Sequence, residues 1–176
     1  MPDGSYERDA LAWAEQQADL LRRLAAGERL NEAVDWPHVI EEVRDVGLSE
    51  LRACRSLLQQ ALTHLLKLHA RPDSQAAAHW HDEAGVFLDD AAARFSPSMR
   101  QRIELEELYA RALRRAREAR DVGPKTSPDA AGSSRPLPDE CPFALDELLA
   151  GDVAGLLAKL ASTAPPETAG GAGAPS

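Results

Sequence analysis

The feature that most constrains this chain is an apolar stripe of helical period that holds its phase from Ile40 to Leu68. Asp35 is a capping residue type, and Trp36-Pro37 follows it as a first turn in which proline loses no helical hydrogen bond. Ile40, Val43, Gly47, Leu51, Cys54, Leu58, Ala61, Leu62, Leu65 and Leu68 then recur at spacings of three and four. The simplest reading is one helix over 37–69, about 50 Å long at 1.5 Å per residue. Gly47 lies on the stripe and costs roughly 1 kcal/mol relative to alanine inside a helix, so it marks a kink, a break into two helices or a close helix crossing.

The other segments repeat the pattern. Ser5 opens a helix over 6–26 with Leu11, Trp13, Ala14, Ala18, Leu21 and Leu24 inward and Gly27 as its stop. After Pro72-Asp73, the positions Ala77, Trp80, Ala84, Phe87, Leu88, Ala91 and Phe95 form a third stripe. Pro97 restarts the chain, and Ile103, Leu105, Leu108, Tyr109, Ala112, Ala116 and Ala119 form a fourth before Gly123-Pro124. No segment alternates with period two. Residues 124–140 are rich in Pro, Ser and Gly and read as a flexible tether. Two short amphipathic segments follow, around Leu145–Leu149 and Val153–Leu160, and 161–176 reads as a disordered Ala/Gly/Pro tail. The expectation is an all-α fold: an antiparallel bundle of four main helices, with the C-terminal helical segment docked back after the tether, as one domain over 5–160.

Composition narrows the function classes. The chain has 176 residues, 20 Lys+Arg against 29 Asp+Glu, and a formal charge of −9, which argues against generic nucleic-acid or anionic-membrane binding. No run approaches the roughly 18 to 20 apolar residues a membrane span takes, and no basic segment leads into an apolar one at the start, so a cytoplasmic protein is expected. Cys54 and Cys141 have no metal-ligand spacing and read as free thiols. Charge is uneven: residues 1–50 carry five arginines and twelve acids, while helix four carries seven arginines and four glutamates. That helix lacks interleaved aromatics, so stacking on single strands is unsupported, and a solvated or internally paired face is the expectation.

No phosphate loop, nucleophile elbow, H-E-x-x-H or paired C-x-x-C is present. What remains are polar residues on helices. Glu42, His64 and Lys67 project to one flank of the long stripe, with Glu41 on the opposite flank, and helix one offers Asp9, Trp13 and Gln17 on successive turns. The simplest reading is a set of polar residues that pairs two helices in register. His79, His81, Asp82 and Glu83 cluster around Trp80; His79 faces Asp82 and Glu83 while His81 points elsewhere, which reads as a solvated polar face, and no metal or cofactor is assigned.

Tyr6-Glu7-x-Asp9-x-x-x-Trp13, Ile40-Glu41-Glu42-Val43-x-x-x-Gly47-x-x-Glu50, His64-Leu65-Leu66-Lys67, Trp80, Pro97-Ser98 and Cys141-Pro142-Phe143, in this order and spacing over about 5–150, resemble the bacterial domain-of-unknown-function family 29. The resemblance implies a small all-helical domain without an established activity, and it singles out Glu41, Glu42, His64 and Lys67. The chain departs from the pattern at Arg44, where an acid is usual.

Two functions are therefore carried forward. The first is a non-catalytic interaction or regulatory module that binds a protein partner or itself, with apolar positions such as Leu57 and Leu66 left uncovered. The second is a metal-assisted or acid/base hydrolase, such as a nuclease, built from Asp9, Glu41 or Glu42 and His64, with Lys67 stabilising an anion. It requires the chain to fold back near Gly47, because Glu42 and His64 are otherwise about 33 Å apart along a straight helix.

Overall fold

A computed structural model of the chain describes residues 5–121 and 135–163. All regular structure among them is helical: α1 (Ser5–Arg8), α2 (Ala10–Ala25), α3 (Trp36–Ala70), α4 (Ala77–Arg94), α5 (Leu105–Asp121), α6 (Leu145–Leu149) and α7 (Val153–Thr163), with single 3-10 segments at Asn31–Ala33 and Pro97–Arg102. The chain divides into two compact units, Met1–Glu50 and Leu51–Ser176, and the division falls inside α3.

In the first unit the single helix expected over 6–26 is two. Asp9 leaves the helical region at φ −154°, and its carboxylate accepts the Ala12 N–H at 3.0 Å, so it caps α2 instead of continuing α1. Gly27 stops α2 as expected: its φ of +93° is the left-handed turn that glycine adopts without a Cβ penalty. Its N–H donates to Leu24 O at 2.9 Å, and the Glu28 N–H reaches Arg23 O at 3.1 Å. Both bonds together make a complete Schellman stop. α3 then runs back antiparallel to the first two helices, as the pairs Trp13 with Asp35 and Tyr6 with Glu42 require. It is helical straight through Gly47, and a Cβ there would meet nothing within 4 Å. That glycine is therefore neither a break nor a crossing point within this chain's described residues.

The second unit holds the large core. Cys54, Leu58, Ala61, Leu62, Leu65 and Leu66 of α3 are fully buried and share one cluster with Ala84, Leu88 and Ala91 of α4, Leu108 and Tyr109 of α5, Leu148 of α6 and Leu160 of α7. α4 is antiparallel to α3: the Cys54 thiol donates to Ala91 O at one end, and Arg71 lies over the Trp80 ring at the other. Leu66, expected to stay uncovered, belongs to this core, and Leu57 is half-buried against it.

Of the tether expected over 124–140, residues 124–134 lie outside the described residues. Residues 135–140 are held. The Arg135 N–H donates to Ala70 O at 3.0 Å, the Tyr109 hydroxyl donates to Pro138 O at 2.8 Å, and Leu137 is buried. A Pro-rich stretch makes no helical bonds of its own, so these partners supply what its backbone lacks. Of the expected tail, 161–163 complete α7 and 164–176 lie outside the described residues.

Candidate functional site

Polar and aromatic side chains gather at one place in each unit. In the first unit the centre is Asp35. Its carboxylate accepts the Trp13 Nε1–H at 3.2 Å and pairs with His38 Nδ1 at 2.7 Å, while its backbone N–H donates to Gln17 Oε1 at 2.9 Å. The imidazole and the indole together hold its carboxyl below the usual carboxylate range, with the imidazole contributing most. Above it, Tyr6 stacks on the His38 ring at 4.3 Å and meets Trp13 edge-on at 4.9 Å. The Tyr6 hydroxyl donates to Glu42 Oε1 at 2.6 Å. That bond, with burial and the charges of Glu42, Glu41 and Asp45, pushes the phenol up to about 12. Three helices are thus tied at fixed register by side chains that fill one another's hydrogen-bonding capacity. The arrangement is a clamp.

In the second unit His64 and His79 both approach Glu83 Oε2, at 3.1 and 3.2 Å. The His64 contact is close but off the hydrogen-bond direction, so its buried Nδ1 has no hydrogen-bond partner. Burial pushes the His64 imidazole down first, Lys67 adds to this, and Glu83 opposes it; the ring is neutral at pH 7 and sits edge-on to Phe87 at 5.5 Å. Lys67 Nζ and the Arg71 guanidinium lie 6.0 and 5.1 Å from the centre of the Trp80 ring. Among the described residues no group of three His, Cys, Asp or Glu side chains is placed to hold a metal ion.

The residues singled out by sequence fall as follows. Asp9 is spent as a helix cap, Glu42 holds Tyr6, and Glu41 is exposed beside it. His64 and Lys67 lie in the second unit, against Glu83 and Trp80. Because α3 has no fold-back at Gly47, the condition for a joint Glu42 and His64 centre is not met. Sequence reading missed Asp35 and His38 as partners, although their separation of three in D-W-P-H places both on one face of the opening turn. It also missed Glu83 as the carboxylate shared by two histidines. Of the arginines in the basic segment, Arg100, Arg111 and Arg117 pair with Asp146, Glu107 and Asp139, and Glu107 also takes Arg55 of α3.

The first unit leaves several large apolar side chains in water. Ile40, Val43 and Val46 on α3 are 64, 71 and 67% exposed, and Leu11 on α2 is 71% exposed. Ile40 and Val43 belong to the stripe whose later members, Cys54 and Leu58, are fully buried. The stripe is continuous in sequence, but among the described residues nothing buries Ile40 or Val43 in its first half.

These features define an all-helical domain whose polar clusters hold helices in place. The chain belongs to the family described as domain of unknown function DUF29, whose model matches residues 5–153. Among solved structures it is similar to an alpha-helical protein of unknown function from Rhodospirillum rubrum, at 28% identity and a TM-score of 0.65 over 88% of this chain and 96% of that one. No curated protein matches it. No described helix is long and apolar enough to cross a membrane.

Proposed function

We propose that this protein is a non-catalytic interaction module that engages a protein surface through the bare apolar face of its first unit. The observation that carries the reading is the exposure of Ile40 and Val43 on a helix whose stripe is otherwise a core seam. Aliphatic side chains left in water on a regular, clamped helix gain about 25 cal/mol per Å² on being covered. The clamp at Asp35, Tyr6 and Glu42 supports the same reading, because it fixes the α3 face in advance and lowers the ordering cost of binding. Asp9 and Glu42, two of the carboxylates a hydrolase would draw on, are engaged in capping and in that clamp, which favours the interaction reading over the catalytic one. A photocrosslinking residue at position 43 of the full chain, in cells that make it, should give a discrete adduct. The same residue at exposed position 115 on α5 should not. No adduct at 43, or equal adducts at both, overturns the proposal.

A further inference from the structure

The bare face carries more information than its apolarity. Glu41 and Arg44 stand three residues apart, both exposed, along one edge of the Ile40–Val43–Gly47 stripe. When two copies of a helix pair antiparallel about a twofold axis, the same edge of each copy meets itself, and residues symmetric about the axis come opposite one another. An axis passing midway between positions 42 and 43 sets Glu41 of one copy opposite Arg44 of the other, twice. The same axis sets Ile40 of each copy level with position 45 of the other. There it enters the gap between Val43 and Gly47, one turn apart. Gly47, with nothing within 4 Å of where its Cβ would be, leaves room for that close approach. Apolar register and charge register are thus satisfied by a single axis.

We infer that the occupant of this face is a second copy of the chain, paired antiparallel along α3 through Ile40, Val43 and Gly47 and locked by reciprocal Glu41 to Arg44 ion pairs. This rests on the interaction reading above and names its partner. Self-pairing also accounts for Gly47 inside a regular helix, which among the described residues has no steric reason. Neither charge is needed by the clamp's hydrogen bonds, so both can be reversed without removing one.

Sedimentation velocity of the full chain across a concentration series tests it. Wild type is expected to dimerise reversibly. Arg44→Glu and Glu41→Arg each place like charges opposite each other twice and should raise the dimer Kd at least about tenfold. The double variant Glu41→Arg with Arg44→Glu restores opposite pairs and should return to within about threefold of wild type. Helix content by circular dichroism checks that each variant is folded. A chain that stays monomeric at all concentrations, or a dimer indifferent to both reversals, overturns the inference. A monomer that still forms a position-43 adduct with a different protein overturns the second copy alone and leaves the interaction reading standing. Loss of both overturns the two together.

Discussion

The two units reach order by different means. The second closes a conventional core in which six side chains of α3, Cys54, Leu58, Ala61, Leu62, Leu65 and Leu66, are fully removed from water. The first has few buried side chains, chiefly Trp13, Val34 and Gln17, and keeps its helices in register with a ring of hydrogen bonds and aromatic contacts around Asp35 and Tyr6. Burial itself is non-directional, whereas hydrogen bonds and stacked rings fix angle as well as distance. The unit with the smaller core is the one that relies on such directional contacts, and it is also the one that leaves an apolar face outside. A helix can hold a face in water only if something other than that face fixes its position.

The largest expected difference between the units is in their response to truncation of the stripe. Leu58→Ala empties a fully buried position and should cost about 2 to 5 kcal/mol in denaturant unfolding. Ile40→Ser changes the same stripe where it is 64% exposed and should stay within about 0.5 kcal/mol for the monomer. Comparable costs at the two positions would break the comparison.

Acid separates the units next. Burial lowers both His64 and His69 in the second unit, so the unfolded chain binds their protons first. Their contribution is fully present above about pH 6.5 and is lost as pH falls from there toward the folded values, so stability should drop as pH falls below about 6.5. His69→Gln should flatten that slope in thermal melts; an unchanged slope counts against the burial account.

Alkali acts in the opposite sense on the clamp. The Tyr6 phenol, raised to about 12 by Glu42, stabilises the first unit below about pH 10 and loses that contribution as pH rises toward 12. Tyr109, the second of two tyrosines, is raised too, by burial. Ultraviolet titration of the folded protein should show no tyrosinate at pH 10.5, and Tyr6→Phe should remove the step near pH 12. A full tyrosine equivalent ionising near pH 10 would mean that the bond to Glu42 does not form. At Gly47 an added methyl meets nothing among the described residues, so within the monomer Gly47→Ala should raise stability by about 1 kcal/mol. Destabilisation there would place an unseen contact inside the chain.

Helical phase was readable from residues because each stripe repeats a local chemical pattern; α3 extends over 35 residues where about the same span was expected, and Gly27 ends α2 on the geometry that glycine uniquely permits. Periodicity reports that a helix has an apolar side and says nothing of what lies against it. For that reason periodicity sets Ile40 and Val43 on the same stripe as Cys54 and Leu58 although they are exposed, and leaves the buried Leu66 off it. The cover over the second unit includes Leu137 and Phe143, from a Pro-rich stretch whose composition reads as a tether. Asp9 escaped notice as a helix break because a capping aspartate inside a continuing apolar pattern looks like one more polar position. Of the polar residues, the pairing of helices in register was legible, and Tyr6 with Glu42 realises it. The hub at Asp35 was not, since its partners come from 18 and 22 residues earlier in the chain.

The central claim is that α3 presents one sealed half and one half that another chain covers. Hydrogen–deuterium exchange of the full protein, followed by mass spectrometry at a low and a high protein concentration, tests it most directly. Peptides over 36–47 should gain protection as concentration rises, while peptides over 54–68 should be slow and unchanged at both. Equal exchange at 36–47 at the two concentrations, or a concentration effect confined to 54–68, would contradict it.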